Sequence, residues 1–414
     1  MTDLFDKCHT DEGYFGYFRA RGDSYFTQPV LEGIPGPRMK FHGKEVIMWA
    51  VNNYLGLANN EEVKEIARQS VEQWGTFSPM GSRMLTGNTE KHIALEQKLA
   101  RFLQKPAGIL FNYGYLGVVG TITALIDKND QIIIDRLSHA SMLDGTTLAS
   151  YGKRFRAFQH NDMDDLENQL KESNKDRKGG ILIVTEGVFG MRGDLADLKG
   201  ICELKEKYNA RLFIDDAHGF GVMGENGRGL GEHAGLQDKI DIYFGTFAKA
   251  FAAIGGVAVG EEVPIDYIRY NARTQVFAKS LPMVFVDVLS ATLDVIIKRP
   301  DLREKMWHNT RLIQNGLVEL GYDIGDTKSP ITPVYVPAGD TETGMAMIRM
   351  LREEYGIFVS GVMYPVVPKG VALFRMIPTA SHTEEDIAKT LNAYKQMRDR
   401  LKLDLSQKPS QMNR

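Results

Sequence analysis

Two segments, each directly after an apolar run, carry the side chains best suited to chemistry. The acidic segment DDAH at 215–218 follows RLFI, and Lys249 follows the largely apolar run IYFGTFA. Ligands of open α/β sheets bind outside the carboxyl ends of the strands, so we expect both segments at one ligand crevice. Two carboxylates and an imidazole in such a place need polar partners. Taken alone, the acidic segment is equally typical of a capped strand end with solvated acids.

Lys249 lies in an apolar setting, with Phe247 and Ala248 before it and AFAAIGG after it. Burial disfavours the charged form of an amine and lowers its pKa, so a buried lysine can attack a carbonyl carbon and form an imine near neutral pH. The apolar neighbours argue against the alternative, a surface lysine at a turn. The sequence therefore predicts a lysine that binds a carbonyl compound covalently.

A glycine pattern next to the acidic segment imitates a dinucleotide-binding motif. The segment GFGVMG at 219–224 follows a predicted strand and has the required spacing. That motif needs a helix that begins at the glycines, and the further glycines 227, 229, 231 and 235 make a helix here unfavourable. We therefore predict no dinucleotide site at this position.

The composition limits the class of function. The 414 residues are 43% hydrophobic and 25% charged, which is enough to build one large core or two. The formal net charge is −3 and no dense basic tract occurs. A nucleic-acid partner is therefore not expected, and a small-molecule substrate is favoured.

Cysteine usage and apolar runs bear on location. Cys8 and Cys202 are too few and too isolated for a disulfide framework or a metal cluster, which is typical of the reducing cytoplasm. Residues 1–15 carry charges throughout, and no apolar run approaches the length that crosses a bilayer. We expect a cytoplasmic protein with neither a signal peptide nor an integral membrane segment. A peripheral membrane contact stays open.

The order of predicted elements indicates an α/β fold. From about residue 107, short β-rich runs alternate with helical stretches. The amphipathic segments 163–172 and 195–208 are long enough for the crossover helices that parallel strands require, so the sheet is predicted to be mostly parallel. Residues 325–402 instead favour a smaller α+β domain. The predicted domains are an N-terminal arm at 1–50, a large α/β domain at 51–290, a small C-terminal α+β domain at 291–402 and a polar tail at 403–414.

Seven segments in a fixed order resemble one enzyme family. The sequence resembles the α-oxoamine synthases, a family of fold-type I pyridoxal 5′-phosphate (PLP) transferases, over most of its length. In chain order, the segments are NNYLGL at 52–57, GSRMLTG at 81–87, DRLSHASMLDG at 135–145, TEGVFGMRGD at 185–194, DDAH at 215–218, GTFAKA at 245–250 and LFRMIPTASH at 373–382. Within this family, GYFRAR, HND at 160–162 and KSLP are similar to bacterial serine palmitoyltransferases.

The resemblance implies roles for four residues around the cofactor ring. Lys249 would hold PLP as a Schiff base and act as acid and base. Asp215 would pair with the pyridinium nitrogen and keep it protonated, so that the ring can accept the electron pair released at the amino-acid α-carbon. His218 would bond the ring 3′ oxygen, and His139 would stack on the ring.

The resemblance also implies the phosphate and substrate contacts. Gly114 and Tyr115 match the family's phosphate-binding turn, where backbone N–H groups at a helix N-terminus suit an anion. Thr246 would add a hydroxyl to the same phosphate. Arg375 would hold the substrate carboxylate through a bidentate pair, and Asn52 would assist it.

Three single positions and one short segment depart from the family pattern. Gly190 replaces a serine, Arg192 an acid and Ala248 a serine, and FAKS at 277–280 replaces a Ser-Thr-Ser run that reaches the neighbouring subunit's phosphate. The family forms homodimers, so Lys279 is hypothesised to contact PLP across the interface, and a solvated lysine is the equal alternative. Arg192 would suit an additional anionic group on the substrate, unless it points into water as most arginines do.

The implied reaction is a decarboxylative condensation of an amino acid with a long-chain acyl thioester. The amino acid is serine or cysteate, the acyl donor is acyl-CoA or an acyl-acyl carrier protein, and the product is a 3-keto sphingoid base or its sulfonated counterpart. Another α-oxoamine synthase, of the aminooxononanoate synthase or glycine C-acyltransferase type, is the alternative. A PLP aminotransferase and a non-catalytic subunit are less favoured, the latter because Lys249 is present.

Overall fold

The structure of the protein is a computed structural model that describes residues 3–11, 13, 15–20, 24–150, 155–175, 177–364 and 366–411. The chain divides into two compact units. The larger unit comprises residues 52–190 and 194–304, and the smaller unit comprises residues 1–51, 191–193 and 305–414. The domain boundaries drawn from the sequence remain predictions.

The described residues include strands and helices in alternation. The strands are β1 (Leu31–Glu32), β2 (Arg38–Phe41), β3 (Lys44–Met48), β4 (Ala107–Phe111), β5 (Gln131–Asp135), β6 (Phe155–Phe158), β7 (Ile181–Glu186), β8 (Arg211–Asp215), β9 (Ile242–Thr246), β10 (Gly256–Gly260), β11 (Thr332–Tyr335), β12 (Ile357–Phe358), β13 (Ser360–Val362) and β14 (Leu373–Met376). The helices are α1 (Gly16–Ala20), α2 (Ser24–Thr27), α3 (Glu61–Trp74), α4 (Glu90–Phe102), α5 (Gly114–Leu125), α6 (Ala140–Ala149), α7 (Met163–Lys175), α8 (Leu198–Lys207), α9 (Leu230–His233), α10 (Glu262–Asn271), α11 (Arg273–Val276), α12 (Met283–Lys298), α13 (Pro300–Glu319), α14 (Thr341–Glu353) and α15 (Glu384–Leu401). Within the described part of the chain, none of the helices combines the length and the apolar character that crossing a bilayer requires.

The larger unit is built on a seven-stranded sheet with the order β4-β10-β9-β8-β7-β5-β6. Strand β10 is antiparallel to both of its neighbours, and the pairs from β9 to β6 are parallel. All residues of β7, β9 and β10 are buried, as in a sheet that is covered on both faces. The prediction of a mostly parallel α/β sheet is confirmed.

The parallel strands bring polar residues to one edge of this sheet. Asp135, Glu186, Asp215 and Thr246 are the last residues of β5, β7, β8 and β9. The register places Glu186 opposite Asp215, and Asp215 opposite Phe244. Apolar runs that each end on a polar residue therefore create a polar edge on an otherwise apolar sheet.

The smaller unit combines two sheets with helices. Strands β1, β2, β3 and β12 form one sheet, and β11, β14 and β13 form an antiparallel one. The indole N–H of Trp49 donates to the Thr390 hydroxyl at 3.0 Å, and the indole ring stacks on the His382 ring at 4.0 Å. Side chains from β3, β11 and β14 and from helices α14 and α15 share one apolar core. This mixture of sheets and helices fits the predicted α+β character.

Candidate active site

Asp215 ends β8 and is buried, with 5% of its surface exposed. Its carboxylate accepts a hydrogen bond from the Ala217 backbone N–H at 3.1 Å. Burial raises the pKa of Asp215, while the charges of Lys249 and His139 act in the opposite direction. The three side chains are therefore close enough to interact electrostatically. A cation placed beside Asp215 would hold the carboxyl group in its ionised form.

Lys249 follows β9 in the apolar setting that the sequence predicts. Phe247 and Ala250 are fully buried, and Lys249 itself is half-buried. The Lys249 carbonyl accepts a hydrogen bond from the Ala252 N–H at 2.9 Å, which closes a turn after the strand. Ala252 has a left-handed φ of 50° in this turn. The turn fixes the backbone of the lysine without using its amine.

His139 lies at the N-terminus of α6, four residues beyond the end of β5. Its ring Nδ1 accepts a hydrogen bond from the Ser141 backbone N–H and lies 2.8 Å from the Ser141 hydroxyl oxygen. The Tyr115 ring meets the imidazole edge-on with a centroid distance of 6.2 Å. Burial lowers the pKa of His139, although the Asp215 charge acts in the opposite direction, and the Lys249 charge lowers it further. The contact with Ser141 holds the ring in one orientation.

His218 is buried and is held by a residue that the sequence reasoning missed. The Tyr54 hydroxyl lies 2.8 Å from His218 Nδ1, and Tyr54 is fully buried. A Cβ atom at Gly190 would lie 2.7 Å from His218 Nε2, so a side chain at this position would require a rearrangement. The motif NNYLGL at 52–57 contained Tyr54, but no local pattern linked it to a histidine 164 positions away.

Glu186 is a second buried acid that the sequence reasoning did not single out. Its carboxylate accepts a hydrogen bond from the Gly190 N–H at 3.1 Å. Burial raises the pKa of Glu186 to about 8, and the neighbouring Asp215 charge raises it as well. Its position at the end of the apolar strand β7 was the available signal. Glu186 supports the start of the loop that passes beside His218.

The residues predicted to bind a phosphate lie together at the N-terminus of α5. A Cβ atom at Gly114 would lie 2.6 Å from Thr246 Oγ1, so the helix start and this hydroxyl are adjacent. Helix α5 begins at Gly114 and extends for 12 residues, and its first backbone N–H groups have no partner within the helix. The Tyr115 hydroxyl donates a hydrogen bond to Asp144. An anion near Gly114 would therefore meet backbone donors and the Thr246 hydroxyl.

Asp216, in contrast, supports the backbone. Its Oδ2 accepts hydrogen bonds from the Leu230 N–H at 2.6 Å and from the Tyr243 hydroxyl at 3.0 Å. A Cβ atom at Gly229, which has a φ of 103°, would lie 2.1 Å from Asp216 Oδ2. The segment 219–224 forms turns around this carboxylate and no helix. The helix that a dinucleotide-binding motif requires therefore does not begin at these glycines.

The remaining predicted residues lie in both units. Asn52 and Lys279 belong to the larger unit, and Arg192 and Arg375 belong to the smaller unit. Lys279 is exposed, and its amine lies 5.1 Å from the centroid of the Phe77 ring. Arg375 is in the middle of the antiparallel sheet, in β14. The functions assigned to these four residues stay predictions.

The strand ends of the larger unit fit PLP. The half-buried Lys249 can supply an amine to an aldehyde, and the buried Asp215 can pair with a cationic ring nitrogen. Two imidazoles lie near them, and the N-terminus of α5 beside the Thr246 hydroxyl suits a phosphate. The fold and these residues define a fold-type I PLP-dependent transferase.

Comparison with known proteins gives the family. Residues 44–393 match the aminotransferase class I and II family. The chain is 47% identical to a cysteate-C-fatty acyltransferase of Capnocytophaga ochracea, over 97% of this chain and 96% of the relative. It is 40% identical to an 8-amino-7-oxononanoate synthase of Petrotoga mobilis, over 90% and 93%. The structure of a serine palmitoyltransferase from S. paucimobilis with a bound PLP–myriocin aldimine has a TM-score of 0.89 and 30% identity, over 97% of this chain and 100% of that chain. The chain belongs to this family and, within it, to the PLP-dependent C-acyltransferases of the α-oxoamine synthase type.

Proposed function

We propose that this enzyme condenses cysteate with a long-chain acyl thioester, with loss of CO₂, to a sulfonated 3-keto base. The acyl group arrives on coenzyme A or on an acyl carrier protein. The observation that carries the proposal is the 47% identity to a cysteate-C-fatty acyltransferase, compared with 40% to an 8-amino-7-oxononanoate synthase. Serine is the alternative amino acid.

Residues at the strand ends of the larger unit each have a separate role in the reaction. Bound PLP supplies an electron sink for the pair of electrons released at the amino-acid α-carbon. Lys249 anchors the cofactor, takes the α-proton and later returns a proton to the product. Asp215 holds a positive charge on the ring nitrogen, and its buried position makes that pairing strong. His218 orients the ring through its 3′ oxygen.

In this proposal, one group of residues binds the phosphate and another residue covers the face of the ring. The backbone N–H groups at Gly114 and Tyr115 and the hydroxyl of Thr246 bind the phosphate. The His139 imidazole stacks on the ring, in the orientation that its hydrogen bond with Ser141 sets. Support comes from the adjacency of Gly114 and Thr246 and from the lowered pKa of His139.

Three residues bind the amino acid in this proposal. Arg375 makes a bidentate pair with the carboxylate, and Asn52 assists by hydrogen bonding. Arg192 pairs with the sulfonate. The glycine at 190 lets the backbone pass close to His218, because a Cβ atom here would lie only 2.7 Å from the imidazole Nε2. A cation at position 192 suits a substrate with an extra anionic group.

We expect Arg192→Glu to reverse the amino-acid preference. A charge-assisted hydrogen bond is worth about 1.5–3 kcal/mol, so kcat/KM for cysteate should fall about ten- to a hundredfold relative to serine. Parallel assays of both amino acids with palmitoyl thioester measure the ratio. Arg311→Glu, the same charge change at an exposed position of α13, is the control and should leave the ratio unchanged. A preference for serine that is the same in wild type and Arg192→Glu would reject the sulfonate contact.

We propose that the enzyme acts as a homodimer and that Lys279 reaches the phosphate in the partner subunit. The large side chains near Lys279 support an interface, because Phe77, Met80, Leu85 and Phe277 are all exposed in the single chain. The Lys279 carbonyl accepts a hydrogen bond from the Asn112 side chain, which fixes the backbone of this segment. A charge at this position would compensate for the hydroxyl that Ala248 lacks.

Mixed dimers of Lys279→Ala and Lys249→Ala subunits test this contact. If Lys279 acts across the interface, the mixed dimer contains one site with both lysines, so it should regain about half of the wild-type activity. If Lys279 acts within its own subunit, the one intact Lys249 is accompanied by a missing Lys279, and activity should be about half that of the Lys279→Ala homodimer. Mixed dimers of wild type with Lys249→Ala calibrate the one-site rate. Activity at the lower level would reject the contact between subunits.

A further inference from the structure

His160 lies between two carboxylates at the edge of the sheet in the larger unit. Its Nδ1 is 3.2 and 3.1 Å from the two carboxylate oxygens of Asp135, and its Nε2 is 2.8 Å from Asp194 Oδ2. A neutral imidazole has one N–H and can donate to one partner only, whereas carboxylates accept and do not donate. Two carboxylates on two ring nitrogens therefore require the doubly protonated, cationic ring.

The surroundings of the ring agree with a stable cation. The His160 side chain is 12% exposed, and the Phe189 ring packs edge-on against it at a centroid distance of 4.3 Å. Burial alone would lower the pKa of His160, but the hydrogen bonds and charges of Asp135 and Asp194 outweigh burial and raise it to about 9. These two carboxylates are the charged groups with the largest effect on the pKa of the ring.

One side of this ion triplet supports the segment that leads to His139. Asp135 ends β5, and its carboxylate also accepts hydrogen bonds from the Leu137 N–H at 2.9 Å and the Asn161 N–H at 3.2 Å. The Ser138 N–H donates to the Asp135 carbonyl at 3.0 Å. The turn between β5 and α6 is therefore organised around the same carboxylate that His160 binds.

The other side supports the loop that passes beside His218. The Asp194 carbonyl accepts a hydrogen bond from the Phe189 N–H at 3.0 Å, and Val188 forms a bridge with Leu195. Residue 190 of this loop is the glycine next to His218 Nε2. His160 thus connects the backbone that carries His139 with the backbone that borders His218.

We propose that His160 is a positioning residue for acyl transfer, a cation that joins the turn before His139 to the loop at 187–195. The inference deepens the proposed function and rests on the roles assigned there to His139 and His218. Without the positive charge, Asp135 and Asp194 would lose their common partner, and the loop and the turn would separate. A displacement of about 1 Å in such groups lowers the rate by roughly a hundredfold.

His160→Gln removes the charge and keeps a side chain that fills much of the same space. We expect kcat at pH 7 to fall about ten- to a hundredfold while the cofactor stays bound, because Lys249 is intact. The ratio of wild-type to variant kcat should decline towards one above about pH 9, where wild-type His160 also loses its proton. His308→Gln, which removes a half-exposed histidine paired with Glu384, should leave both kcat and this ratio unchanged.

Each rate is measured with whichever of cysteate or serine the wild type turns over faster. A wrong assignment of the amino acid therefore leaves the ratio of wild-type to variant kcat unaffected. Failure of the substrate assignment can thus be distinguished from failure of the role proposed for His160. A wild-type kcat in His160→Gln, or a ratio that does not change with pH, would overturn the positioning role.

The protonation state is also measurable in the unaltered holoenzyme. Ring-nitrogen NMR of isotope-labelled histidine should show, for the ring that contacts Phe189, two N–H groups at pH 7 and proton loss only near pH 9. A ring with a single N–H at pH 7 would overturn the proposal even if the glutamine variant did not fold.

Discussion

Lys249→Ala is expected to abolish turnover and to remove the absorbance of lysine-bound cofactor while the fold is retained. Acid–base catalysis by a positioned side chain alone contributes roughly 10²–10⁴-fold, and this substitution also removes the covalent anchor. The backbone hydrogen bond from Ala252 to the residue 249 carbonyl does not need the amine, so the turn after β9 should persist.

Lys298→Ala is the matched control for this loss. Lys298 is an exposed lysine at the end of α12 in the same unit, and its removal should change neither the absorbance nor the rate. Cofactor absorbance, circular dichroism and the initial rate are compared for both variants. A folded Lys249→Ala enzyme with a rate within tenfold of wild type would contradict the role of this residue.

Asp215→Asn is expected to keep much of the cofactor and to lose turnover by on the order of a hundredfold. Asparagine preserves the size and can still accept the Ala217 hydrogen bond, but it removes the negative charge that stabilises the protonated ring nitrogen. Stopped-flow measurement of α-deuterium exchange reports the affected proton transfer. An unchanged exchange rate would refute the role of Asp215.

Asp216, the neighbouring acid, provides a control with the same aspartate-to-asparagine substitution. Asp216→Asn weakens hydrogen bonds to the Leu230 N–H and the Tyr243 hydroxyl, which hold the glycine-rich turn. Its effect should be a loss of stability of about 1–3 kcal/mol, measured by denaturant unfolding, with nearly normal exchange in the folded enzyme. Comparison of the Asp215 and Asp216 variants therefore distinguishes an effect on catalysis from an effect on stability.

Local sequence was sufficient for the sheet and for its polar edge. Apolar runs such as ILIVTE and RLFID have the length of buried strands, and helical segments between them require parallel pairing. The polar residue at the end of each run, including Asp215, then lies at the ligand-binding edge by a general rule of open sheets. No long-range information was necessary for this inference.

Contacts between distant parts of the chain could not be read from sequence. Tyr54 bonds a histidine 164 positions later, and β3 pairs with β12, about 300 residues further along the chain. The residues at 1–50, predicted as an arm, include β2 and β3, because the strand partner that orders them is remote. His160 belongs to the segment HND at 160–162, but no local pattern indicated that its ring lies between two carboxylates.

The central claim is that this enzyme forms a carbon–carbon bond with loss of the amino-acid carboxyl group. The most direct measurement uses carboxyl-labelled cysteate and palmitoyl thioester, with mass analysis of the released gas and of the lipid product. We expect one labelled CO₂ for each unlabelled sulfonated amino ketone. Retention of the label in a keto acid, with transfer of the amino group and no CO₂, would contradict the account.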